Sequence, residues 1–176
     1  MSALLPAARA WVEEVKHPHA RHLLRTEDWL VALEPEATER LRIAAVLHDI
    51  ERAFPAPGVT WDSARDWDNA EYNRWHQDRC AEIASNWLRE QAAPEELVEG
   101  VGALIRVHED GGWPEADILQ AADSLSFLDT LTPLVISWVQ SDRATPQRAA
   151  AKLRSSLDRI DPSLEGARAL AAPMLG

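Results

Sequence analysis

A chain of 176 residues, 46% apolar and 27% charged with a mean hydropathy of −0.30, has enough apolar material for one substantial core and the balance of an ordinary globular domain. Its net charge of −11 works against long nucleic acids and anionic membranes as partners, since a polyanion-binding surface needs an excess of Lys and Arg. The lone Cys80 excludes an intrachain disulfide, and no run of about 18 apolar residues is present, so a cytoplasmic location is expected.

Apolar residues recur at spacings of three and four throughout, and no window alternates with period two. The expectation is an all-α, single-domain bundle. In chain order the pattern predicts helices over 3–16, 20–33 and 36–50, the third starting just after Pro35. Segment 53–68 holds two prolines and a glycine and reads as a loop, long enough to be functional. Further helices are predicted over 70–91 and 94–108, with a Gly111-Gly112 break before one starting near Pro114. Three more pieces follow, split by Pro133, Pro146 and Pro162, and the Ala-rich end is expected to fray. The oligomeric state is not legible.

In AAVLHDIER, His48 falls on the helical face of Leu41, Ala44 and Ala45, and Asp49 follows at the helix end. One such pair is weak evidence of chemistry. Other helices repeat the pattern. His22 shares a face with Thr26, Trp29, Leu30 and Leu33, and His76 with Cys80, Ile83, Ala84 and Trp87. His108 completes the face of Val101, Leu104 and Ile105, and Asp123 that of Leu119, Ser126 and Phe127. A buried carboxylate needs a partner, because an unpaired buried charge costs several kcal/mol. Four histidines and two aspartates turned inward point to metal, and imidazole with carboxylate suits Fe, Mn, Zn, Ni or Co rather than Ca. The set is too large for one tetrahedral ion, so two are expected. The bland alternative makes some of these histidines satisfied core residues and the aspartates helix caps.

The order His, His-Asp, His, His and a distant Asp resembles the HD-domain superfamily, and within it the two-metal hydrolases similar to bacterial HD-domain diadenosine tetraphosphate hydrolases. RHLLRT and AAVLHDIER carry the local resemblance, which spans 21–129 and leaves 130–176 as a helical C-terminal extension. The resemblance implies one metal on His22, His48, Asp49 and Asp123, and a second on Asp49, as bridge, with His76 and His108. It implies a phosphohydrolase cleaving a phosphate ester or anhydride of a small phosphorylated metabolite, expected to be a nucleotide, with water activated between the ions. Arg52 stands where many relatives have lysine.

Asp49 and Arg52 are therefore the expected catalytic residues, and Arg52 and Arg65 the expected substrate-binding ones, a solvated surface being an equal alternative for Arg65. Glu51 and Glu109 adjoin ligands and could orient one or protonate a leaving group, but exposed carboxylates are expected there. Trp61, Trp67, Trp75 and Trp113 fall near the predicted rim, a mild hint of a nucleobase. Cys80 is expected to be a buried hydrophobe. Two other readings stay open, an HD-fold di-iron oxygenase and a non-catalytic HD-like binding or regulatory module.

Overall fold

The computed structural model describes residues 3–175. These contain α1 (Leu4–Glu14), α2 (Ala20–Leu33), α3 (Glu39–Leu47), α4 (Ser63–Asp66), α5 (Ala70–Glu90), α6 (Glu95–Ile105), α7 (Pro114–Thr130), α8 (Thr132–Gln140), α9 (Pro146–Asp158) and α10 (Glu165–Ala171). Short 3-10 turns cover Ile50–Ala53 and Ala172–Leu175, and no strand occurs among the described residues. The all-α single-domain expectation holds.

Local chemistry sets most helix starts. Asn69 Oδ1 accepts from the amides of Glu71 and Tyr72, and Thr145 Oγ1 from that of Arg148, each satisfying donors the first turn leaves open. Pro114 and Pro146 occupy first positions, where no amide donor is needed. Helix α3 is shorter than the predicted 36–50. Thr38 caps its start by accepting from Leu41, and at its end the backbone tightens through His48 and Asp49 into the 3-10 turn. Within the predicted loop, Asp62 accepts from the amide of Ala64 and starts the single turn of α4. In the Ala-rich end, expected to fray, the described residues are packed: α10 buries Ala167 and Ala171, and Met174 and Leu175 lie against the same cluster, Gly176 lying outside the described residues.

Helix α7 is the central element, buried on most of its circumference from Ala116 to Leu128, as expected for a helix enclosed on several sides. It joins the main core built from α1, α2, α3, α5 and α6 to a second cluster of Ala64, Phe127, Leu131, Val135, Trp138 and Ala149. The buried carboxylate of Glu27 is held between Arg9 and Arg42, tying α1, α2 and α3 together. A second clamp locks α2 to α7: Asp129 accepts from Arg25 Nε at 2.6 Å and Trp29 Nε1 at 3.2 Å.

Candidate metal centre

His22, His48, Asp49, His76, His108 and Asp123 are all buried and converge from α2, the end of α3, α5, the turn after α6 and α7. Asp123 Oδ1 lies 3.1 Å from His22 Nε2 and 3.3 Å from His48 Nε2, and those two nitrogens are 3.3 Å apart. Asp49 Oδ1 lies 2.7 Å from His76 Nε2 and 3.9 Å from His108 Nε2. Ligand atoms about 2.0–2.2 Å from one ion stand roughly 3.0 Å apart in octahedral and roughly 3.4 Å apart in tetrahedral geometry. The first group has that spacing.

The hydrogen bonds behind the rings decide which nitrogens can bind metal. His48 Nδ1 faces the carbonyl of Ala45 and His108 Nδ1 that of Ile105, each at 2.8 Å. A carbonyl only accepts, so both Nδ1 atoms carry a proton. His22 Nδ1 donates to Ser126 Oγ at 2.9 Å, because the serine's own proton is committed to the His22 carbonyl. His76 Nδ1 donates to Glu51 Oε1 at 3.0 Å. With Nδ1 the proton-bearing nitrogen in each case, all four rings turn Nε2 toward Asp49 or Asp123, the arrangement that second-shell acceptors impose on metal-binding histidines. His108 Nε2 is buried without a hydrogen-bond partner, and His76 Nε2 meets Asp49 Oδ1 at 2.7 Å outside hydrogen-bond geometry. The donor set fits a divalent transition metal.

Electrostatics point the same way. Burial alone would raise the Asp49 carboxyl, yet Arg52 and His76 hold it well below the usual range. Asp123 is likewise pulled down against burial by His48 and His22. Burial, reinforced by His48 and His76, pushes His108 down to about 3, which keeps its lone pair free at ordinary pH. For His76, burial opposes the charged form, but Cys80 and Asp49 raise its pKa well above the ordinary value despite Arg52. Positive charge is wanted between His76 and Asp49, and a metal cation would supply it in place of a proton.

The cluster floors a cleft enclosing about 560 Å³ of atom-free space, including the part open to solvent, where His22, Asp49, Arg52, Asp123, Lys152 and Arg159 face one another. Arg52 reaches Asp49 Oδ2 at 3.2 Å and the Tyr72 hydroxyl at 3.1 Å. Arg65 does not line this cleft. Its side chain is 63% exposed and pairs with Asp66 and the Thr60 carbonyl. Helix α4 turns it outward, and the substrate role expected of it has no geometry behind it. Trp67 lines the cleft, Trp61 and Trp75 line a neighbouring groove, and Trp113 is an exposed side chain away from both.

Two carboxylates differ from expectation, and three residues, His17, Lys152 and Arg159, escaped the sequence reading. Glu51 is not exposed but buried against His76, and Glu109 is half-buried and paired with Arg159. His17, on the turn before α2, faces the Asp49 carbonyl with Nε2. Lys152 and Arg159 come from α9 and its C-terminal cap, beyond the region that resembles HD domains. Cys80 is fully buried, and burial pushes its thiol up, in keeping with a hydrophobe.

No helix is long and apolar enough to cross a membrane among the described residues. Compared with protein families, curated proteins and solved structures, the chain matches none. The established description is that of a helical protein whose buried His/Asp cluster can hold metal.

Proposed function

We propose that this protein is a two-metal phosphohydrolase of the HD type, acting on a phosphate ester or anhydride of a small phosphorylated metabolite, a nucleotide being the first choice. The carrying observation is the set of four Nε2 atoms facing two aspartates on the floor of an open cleft. A purely structural metal site is closed by its ligands, whereas His22, Asp49 and Asp123 line a cleft that is partly open to solvent. Two divalent ions held there would act as Lewis acids and bring the pKa of water to near neutrality.

The charge around the cleft supports an anionic substrate. Arg52, Lys152 and Arg159 are balanced by Asp49, Glu109 and Asp123, so the lining is neutral before any ion is counted. Metal loading therefore makes it positive, in a molecule that is otherwise acidic. In this reading Asp49 is shared between the two ligand groups, and Arg52, braced by Asp49 and Tyr72, presents its guanidinium to the phosphoryl oxygens. Glu51 holds the His76 ring in its ligating tautomer.

The test is metal analysis of freshly purified protein, then a screen of phosphorylated metabolites after loading with Mn, Fe, Co, Ni or Zn. Release of phosphate or a phosphorylated product that a chelator stops is the expected result. Metal-loaded protein that consumes oxygen and cleaves no phosphorylated compound would move the assignment to the oxygenases.

A further inference from the structure

Helix α9 places a lysine where a surface helix would ordinarily keep it in water. Lys152 is only 8% exposed, and its ammonium sits 4.6 Å from the Phe127 ring centroid and 5.6 Å from that of Trp67. Among the described residues it makes no side-chain hydrogen bond or ion pair; Asp123, Asp49 and Asp68 act on it only at a distance. The other cleft cations differ. Arg52 is braced by Asp49 and Glu51, and Arg159 by Glu109 and Asp123. A buried cation left this way is costly unless something anionic joins it.

Two further cleft-lining residues have buried polar atoms without a partner, Trp67 Nε1 and Arg159 Nε. Both are donors. These two donors, and the Lys152 ammonium that lines the same cleft without an ion pair, ask for acceptor oxygens, while His76 Nε2 and His108 Nε2 behind Asp49 ask for a cation. One occupant answers each side: metal below and an oxyanion above.

We propose that Lys152 is an oxyanion-anchoring residue of the site, holding a phosphate-type oxygen of the substrate against the Trp67 and Phe127 wall. The inference rests on the metal-site reading above and adds to it a specificity-determining residue from the C-terminal extension. An ammonium is a compact charge with three donors and can meet a phosphate oxygen without a fixed approach direction. The aromatic faces steady it meanwhile through cation-π attraction.

The test uses full-length, metal-loaded protein with inorganic phosphate as probe, read by calorimetry, alongside metal content and thermal melts of the phosphate-free protein. Lys152→Met should weaken phosphate binding by roughly 10- to 100-fold, the loss expected for one charge-assisted hydrogen bond. Metal content should not change, the melting temperature should hold or rise because an uncompensated buried charge has gone, and Lys152→Arg should recover part of the affinity. Phosphate binding as tight in Lys152→Met as in the parent, or no phosphate binding by the metal-loaded parent, overturns the proposal. A lowered melting temperature with unchanged affinity does the same and makes Lys152 a packing residue. Lys152-dependent phosphate binding in a protein that cleaves no phosphorylated compound would leave the anchor standing and remove the hydrolase.

Discussion

His17 Nε2 lies 3.0 Å from the backbone carbonyl of Asp49, and His17 Nδ1 accepts from the amide of His19 at 3.0 Å. Because Nδ1 accepts, Nε2 must be the protonated nitrogen and donates to Asp49. The turn before α2 thereby fixes the backbone of the residue shared by both ligand groups. His17→Phe keeps a ring in the space but removes both bonds, at a cost of about 1–3 kcal/mol in unfolding stability. Metal affinity should fall by roughly 10- to 100-fold, as for other outer-shell partners. Denaturant melts paired with metal titration check it; an intact metal affinity would make His17 purely structural.

Asp49 and the His76/His108 pair divide the site unequally. Asp49→Ala should abolish turnover and deplete both ions, whereas His76→Ala or His108→Ala should lower bound metal from about two ions toward one and collapse the rate. The faces around Ile83, Trp87, Val101 and Leu104 are untouched, so the fold should persist. Metal analysis with circular dichroism on the three variants decides it. Unchanged metal with a lowered melting temperature in both histidine variants would leave a mononuclear centre.

Arg52 and Arg65 should separate cleanly. Arg52→Gln removes a cation from the cleft and should reduce phosphohydrolase activity by at least about tenfold, given that a hydrogen bond to a charged group contributes roughly 1.5–3 kcal/mol. Arg65→Gln alters a largely exposed side chain away from the cleft and should leave kcat/KM within about twofold, as surface pairs contribute little. An equal loss in both variants would place substrate outside the cleft described here.

In the metal-centre reading, metal removal should destabilise the protein, because the folded cluster would bind ions that the unfolded chain cannot gather. A free ion concentration about a hundred times its dissociation constant stabilises by about 2.7 kcal/mol per site. Differential scanning calorimetry with and without chelator should show the corresponding fall in melting temperature. Protons compete for the same Nε2 atoms, so the difference should shrink on acidification. A melting temperature indifferent to chelator at neutral pH would argue against resident metal.

The α2–α7 clamp predicts an acid-sensitive contribution remote from the ligands. Burial would raise the Asp129 carboxyl, but the bonds from Arg25 and Trp29 hold it below the usual range. A carboxyl depressed in the folded state stabilises it above the unfolded value of about 3.9, and that contribution is lost as pH falls through the folded pKa. Asp129→Asn should therefore cost stability at pH 7, under about 1 kcal/mol because both side chains are partly exposed. Urea melts at pH 7 and at about pH 3 should show the gap between parent and variant closing at the lower pH; a gap that widens contradicts the assignment.

Helix periodicity made the fold legible: α2 spans the predicted residues, and α5 ends one residue from prediction. Periodicity also exposed the expected ligands: His22, His76 and Asp123 sit on the apolar stripes of α2, α5 and α7, while His48 with Asp49 and His108 continue the stripes just past the ends of α3 and α6. Residues off such stripes were hidden. His17 lies on a turn, where no face marks it as inward. Glu51 was visible only as the neighbour of a ligand, and its burial was not, because it sits in a 3-10 turn where the helix was expected to run on to Ile50. Lys152 shares α9 with Arg148 and Arg154, so in sequence it is indistinguishable from a solvated basic face. The Asp62 cap of α4 was readable, but the prolines and glycine before it dominated the pattern.

The bond between His22 and Ser126 joins residues 104 apart in the chain. Contacts of that span form only after the entropy of closing a long loop has been met, so the pairing of α2 with α7 is expected late in folding. His48 and Asp49 are adjacent and His76 lies nearby in sequence, so those ligands can meet early, while Asp123 completes the set only when α7 docks. Metal affinity is thus a property of the finished topology, and ion uptake during refolding should lag the gain of helical signal. Stopped-flow refolding in the presence of a spectroscopically visible ion such as cobalt would register that delay as a clock for the last docking step.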